Sequence, residues 1–94
     1  MTLRVLIADD EAPARRKLER FIEERSDVEI VGQAANGIDA VDLIGMTQPD
    51  VVFLDRESLA KVLAEIRKGG RFARRLLISE QGRSSFVATI GPVR

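Results

Sequence analysis

The chain has no cysteine, histidine, tryptophan or tyrosine, and its four aromatic residues are all phenylalanine. Without cysteine there is no disulfide, no thiolate nucleophile and no thiolate zinc site. Without histidine the usual general base and the commonest transition-metal ligand are missing. No apolar run approaches the roughly 20 residues of a membrane-spanning helix. No signal-peptide pattern follows Met1, so the expected location is cytoplasmic. What remains for chemistry is carboxylates, hydroxyls and basic side chains. That set suits a hard cation such as magnesium, and phosphoryl transfer, better than zinc or a Ser-His-Asp triad.

A length of 94 residues, 45% hydrophobic and 32% charged, describes one small globular domain close to the size at which a single core only just offsets chain entropy. The net charge of zero conceals polarity. Residues 1–55 carry twelve Asp or Glu against six Lys or Arg, whereas residues 56–94 carry three against nine. A basic segment docking on an acidic one, within or between chains, accounts for this better than a nucleic-acid surface.

Leu3 to Ala8 is a nearly continuous apolar run broken only by Arg4, as expected of a strand buried on both faces of a parallel sheet. It ends in Asp9-Asp10-Glu11. Pro13 suits a first helical turn, and Ala14, Leu18, Phe21 and Ile22 then recur at helical spacing through Arg25. Val28 to Ala34 is rich in β-branched residues and predicts a second strand. Asn36-Gly37 breaks it before Ile38, Val41 and Ile44 resume a helix, which Pro49-Asp50 closes. Val51 to Leu54 is a third apolar strand ended by Asp55.

Strands and helices alternating in this way give β-α-β-α-β wound into a parallel sheet. Beyond Asp55, Leu59, Val62, Leu63 and Ile66 mark a helix over residues 58–68 that Gly69-Gly70 stops. Arg75–Ser79 and Ser85–Ile90 flank Glu80-Gln81-Gly82-Arg83 as a β-hairpin.

In an open parallel sheet the carboxyl ends of adjacent strands border the ligand crevice. Asp9-Asp10 and Asp55 stand at two such ends. If their strands are neighbours the three carboxylates converge, and their mutual repulsion invites a divalent cation, for which magnesium fits best. A carboxylate beside magnesium is a competent nucleophile toward a phosphoryl group, and Asp55 is the candidate. A lone acid at a strand end more often caps a helix or solvates a loop. Two consecutive acids after one apolar strand and a third after another favour the site. Arg56 directly follows Asp55, and strand alternation would turn the two side chains to opposite faces.

Leu3-Arg4-Val5-Leu6-Ile7-Ala8-Asp9-Asp10-Glu11, Val31-Gly32-Gln33-Ala34-Ala35-Asn36-Gly37 and Pro49-Asp50-Val51-Val52-Phe53-Leu54-Asp55 together resemble the first half of a response-regulator receiver domain. The resemblance implies a partial flavodoxin-like (CheY-like) α/β fold and a role in two-component signalling rather than an enzyme. It implies Asp55 as phosphoacceptor, Asp9 and Asp10 as magnesium ligands with Asp55, the backbone carbonyl of Glu57 as a further ligand, and a histidine kinase or small phosphodonor as partner.

After Asp55 the match to receivers lapses. Arg56-Glu57-Ser58 stands where receivers carry a Met-Pro turn and a glycine, and 39 residues remain for what is normally two further β-α units. Two readings of the remainder compete. In one, Arg75–Ser79 is a fourth strand with Ser79 at the switch-hydroxyl position, and no lysine follows Lys68 to pair the phosphate. In the other, residues 71–92 are similar to the linker and opening strands of a LytTR-type DNA-binding domain, in a truncated or internally deleted regulator whose DNA-reading surface is gone. In that case Arg71, Arg74, Arg75 and Arg83 are a solvated surface and nucleic acid is not a partner.

The chain thus divides into a receiver-like half domain (1–55), a helix and linker (56–70) and a hairpin segment (71–94). A three-stranded sheet leaves an open edge, and a homodimer in which the hairpin or the helix at 58–68 crosses to the partner's sheet would cover it. The alternative function is a dimeric interaction module, derived from a receiver, that takes no phosphoryl group.

Overall fold

The computed structural model describes the backbone of residues 2–67, 74–81 and 85–92, and the side chains of residues 2–65. The elements are β1 (Leu3–Ala8), α1 (Ala12–Glu23), β2 (Val28–Ala34), α2 (Gly37–Thr47), β3 (Val51–Asp55), α3 (Arg56–Arg67), β4 (Arg74–Gln81) and β5 (Ser85–Pro92). The expected helix stop at Gly69-Gly70, the hairpin turn at Gly82-Arg83, and Arg71 lie outside the described residues.

β1 is apolar and buried from Val5 to Ala8 because both faces of that stretch are covered. Val5 and Ile7 pack with Ile22 and Leu18 of α1 on one side of the sheet. Leu6 and Ala8 pack on the other with Ala40, Val41 and Ile44 of α2 and Val62 of α3. Leu6 and Ile7 are both fully buried, each contributing about 1.5–3 kcal/mol relative to an exposed side chain. Two residues expected on helix core faces are not there: Phe21 is 72% exposed and Ile38 65% exposed. One step round α1 from Ile22, Phe21 falls outside the arc that meets the sheet. Ile38 lies in the first turn of α2, ahead of the residues that reach the core.

α2 starts at Gly37 because Asn36, in extended conformation, accepts the Asp39 N–H on Oδ1 at 2.8 Å. Gln48 ends the helix in the left-handed region at φ 48°. The turn into β3 is tied to β1 at several points. Arg4 N–H donates to Asp50 Oδ2 at 2.9 Å and Arg4 Nη1 to the Gln48 carbonyl at 3.0 Å, while the Asp50 N–H returns to the Arg4 carbonyl at 2.8 Å. These contacts fix the register that sets β3 beside β1.

The sheet has five strands in the order β2-β1-β3-β5-β4. β1 runs parallel to β2, with a bulge between Val5 and Leu6, and parallel to β3 from Val5↔Val51 to Ala8↔Leu54. β5 lies antiparallel to β3, from Val51↔Thr89 to Asp55↔Ser85, and β4 antiparallel to β5. β4 therefore has the direction of β3, as a crossover through α3 delivers, and β5 occupies the gap between them.

β5 of the same chain lies along β3, the edge at which a partner's hairpin or its helix at 58–68 was expected. The arrangement corrects one expectation. Ser79 lies on β4, separated from β3 by a whole strand, so it does not take the switch position beside Asp55; the residue in register with Asp55 is Ser85.

Candidate functional site

Parallel pairing of β1 with β3 ends at Ala8↔Leu54, so the next residue on each strand, Asp9 and Asp55, emerges at the same edge of the sheet. Asp10 follows Asp9 there. One carboxylate oxygen from each of Asp9, Asp10 and Asp55 lies within 4.8 Å of the other two. The convergence expected from the strand ends is what the fold produces. Asp9 and Asp55 are half-buried and Asp10 is exposed.

Two helix starts hold these acids. The Glu11 N–H, just ahead of α1, donates to Asp9 Oδ1 at 2.9 Å, and the Ser58 N–H, in the first turn of α3, donates to Asp55 Oδ1 at 3.0 Å. Asp55 thus ends a strand and caps the helix that follows it. On the other flank, Arg15 Nη1 donates to the Asp9 backbone carbonyl at 2.7 Å. The Asp9 N–H continues the β1–β2 ladder onto the Ala34 carbonyl at 3.0 Å, which fixes the backbone that carries the acid pair.

Burial and neighbouring charge act on Asp9 in particular. Burial raises the Asp9 carboxyl above its ordinary value of 3.8; the Glu11 amide opposes the shift, and the charges of Asp55 and Asp10 add to it. The acids open into a cleft of about 430 Å³ whose lining also includes Glu11, Ala14, Arg56 and Glu57. Five carboxylates and one guanidinium face this volume among the described residues.

One expected ligand does not fit. Because α3 begins at Arg56 with no intervening loop, Glu57 lies in the first helical turn. Carbonyls there point along the axis toward the helix C-terminus, whereas the site faces the N-terminus. The backbone carbonyl of Glu57 is therefore not presented to the cluster, although the residue lines the cleft.

The early start of α3 also removes the reason for placing Arg56 on the opposite face from Asp55. Strand alternation ends at Asp55, and Arg56 lines the same cleft. The sequence reading also missed Arg15, whose grip on the Asp9 carbonyl no motif signalled, and the Ser58 amide, whose role depends on where the helix begins. Asp at a strand end followed by Glu and Ser is an N-cap pattern, and it was the available signal for that start.

A family model for the response regulator receiver domain matches residues 5–87, a span that takes in β4 and the first residues of β5. The segment read as similar to the linker and opening strands of a LytTR-type domain thus falls largely within the receiver match, and its hairpin joins the receiver sheet. The chain is 45% identical over 53 residues to the transcriptional regulatory protein BtsR of Escherichia coli K12, covering 56% of this chain and 22% of that protein. It is 40% identical over 57 residues to protein-glutamate methylesterase/protein-glutamine glutaminase 2 of Photobacterium profundum, covering 61% of this chain and 14% of that protein.

The chain therefore spans less than a quarter of the length of these relatives. The crystal structure of the response regulator domain of Thermotoga maritima CheB superposes with a TM-score of 0.54 at 36% identity, over 55% of this chain and 39% of that one. The shared fold is α/β and flavodoxin-like, with β1, β2 and β3 forming its parallel sheet. The chain belongs to the response regulator receiver domain family.

Proposed function

We propose that Asp55 is the phosphoacceptor of this receiver and that Asp9, Asp10 and Asp55 together hold magnesium. The observation that carries the reading is the convergence of three carboxylates, within 4.8 Å, at the ends of two neighbouring parallel strands. The donor set is entirely oxygen and partly open to solvent, which fits a hard cation that keeps several waters. Magnesium, when bound, screens the negative charge of an incoming phosphoryl group and lowers the repulsion among the three acids.

The chain's own residues supply the rest. The Ser58 amide holds Oδ1 of Asp55, which leaves Oδ2 as the nucleophile. The Glu11 amide and the Arg15 guanidinium fix Asp9 from its side chain and its carbonyl. Attack by Oδ2 on phosphorus forms an acyl phosphate, and the donor's bridging atom, the imidazole nitrogen of a phosphohistidine or the acyl oxygen of acetyl phosphate, departs with the bonding electron pair. A histidine kinase or a small donor such as acetyl phosphate is the source of the phosphoryl group, and the chain acts in a phosphorelay as its receiving module.

The alternative reading, a dimeric interaction module that takes no phosphoryl group, drew its force from the open edge at β3, which β5 of the same chain covers. Intact-protein mass after incubation with magnesium and acetyl phosphate tests the proposal. One added phosphoryl group on the parent chain and none on Asp55→Asn supports it. An unmodified parent chain refutes it.

A further inference from the structure

Arg56 stands in an unusual place for a cation. It is the first residue of α3, where the unsatisfied N–H groups and the helix dipole present positive charge. A base there is unfavourable toward the helix dipole, and it lines the acidic cleft. Of the residues lining the 430 Å³ volume, Asp9, Asp10, Glu11, Asp55 and Glu57 are acidic, and Arg56 is the one base among the described residues.

The proposed acceptor reaction brings a phosphoryl group, itself an anion, into this acidic cleft. A divalent cation held by the three carboxylates would offset part of the repulsion, and a second positive group in the cleft would offset more of it. A guanidinium carries a permanent charge and a planar fork of N–H donors that matches two phosphoryl oxygens. Arg56 is exposed, lines the cleft and adjoins the nucleophile in sequence, which puts its guanidinium within reach of a group seated over Asp55.

Resting on the acceptor reading, we infer that Arg56 pairs with the phosphoryl group during transfer to Asp55, supplying from the start of α3 a cationic contact to the phosphate. In the step itself, the Asp55 Oδ2–phosphorus bond forms as the phosphorus–oxygen bond of acetyl phosphate breaks. Acetate leaves with the electron pair, and the Arg56 N–H groups hold two of the three transferring oxygens as their charge develops.

The test compares the parent chain with Arg56→Ala and Arg56→Lys. Rates of mass gain with magnesium and acetyl phosphate are measured beside thermal midpoints and the affinity of each chain for inorganic phosphate in the presence of magnesium. Loss of one charge-assisted contact of this kind lowers the Arg56→Ala rate by about ten- to a hundredfold, and Arg56→Lys recovers part of it. Phosphate affinity falls in the same order, and the thermal midpoint of Arg56→Ala does not drop.

An Arg56→Ala rate within twofold of the parent, with phosphate affinity unchanged, overturns the inference and leaves Asp55 as acceptor. A rate that falls only in step with a lowered thermal midpoint, with phosphate affinity unchanged, assigns Arg56 to structure and also overturns it. If the parent chain takes no phosphoryl group, the acceptor reading fails and this inference fails with it.

Discussion

Asp55 caps the helix that follows it: its Oδ1 accepts the Ser58 N–H at 3.0 Å, so one carboxylate both ends β3 and starts α3. Asparagine keeps the acceptor oxygen and alanine removes it. Asp55→Ala is therefore expected to be less stable than Asp55→Asn by about 1 kcal/mol, the usual worth of an N-cap. Chemical denaturation of the two variants checks this, and equal midpoints contradict a capping role.

Ser58 offers a complementary change. Its Oγ is buried without a hydrogen-bond partner among the described residues, while its backbone N–H serves Asp55. Ser58→Ala removes the stranded hydroxyl and keeps the amide. It is expected to raise stability by about 1 kcal/mol, with the rate of phosphoryl addition unaltered. A loss of stability on urea titration would show that the hydroxyl has a partner.

The raised Asp9 carboxyl makes stability depend on pH with a definite sign. In the metal-free chain its folded value lies above the unfolded 3.8, so between the two the folded state binds more protons and stability falls as pH rises through that window. Asp9→Asn abolishes this contribution and stabilises the metal-free chain at neutral pH. Saturating magnesium raises the thermal midpoint of the parent and much less that of Asp9→Asn. Melting curves from pH 3 to 7, with and without magnesium, test both signs, and a parent midpoint indifferent to magnesium at pH 7 contradicts the account.

Most of the parallel half of the fold was legible in the sequence because its signals are local and strong. Leu3–Ala8 and Val28–Ala34 have the expected limits, since an apolar or β-branched run bounded by polar residues has few other ways to bury itself. The acidic cluster was legible for the same reason: Asp55 ends one buried strand, and Asp9 and Asp10 come directly after another.

The placement of the hairpin was hidden, because antiparallel insertion of β5 between β3 and β4 depends on contacts across tens of residues that no local pattern encodes. The start of α3 was a different miss: the helix was expected from residue 58 and begins at Arg56, because Asp55 caps it, which carries Glu57 into the helix and Arg56 into the cleft.

Gly37 tests how closely α2 and α3 must approach. A Cβ placed there would stand within 2.5 Å of Lys61 Cβ and 3.4 Å from Ser58 Cα. The Lys61 Cβ is fixed to the α3 backbone and cannot swing away, so Gly37→Ala pushes the two helices apart. The expected cost is about 1–3 kcal/mol, the range for overpacking. Lower magnesium affinity accompanies it, because α3 carries the amide that orients Asp55. A Gly37→Ala chain of parental stability contradicts the close packing.

The central claim is that Asp55 itself becomes an acyl phosphate, and chemical trapping tests it most directly. Borohydride reduces an aspartyl phosphate to homoserine, which peptide mass spectrometry locates. After treatment with magnesium and acetyl phosphate, the account predicts homoserine at position 55 and at no other aspartate. Homoserine at position 9 or 10, or none anywhere, contradicts it.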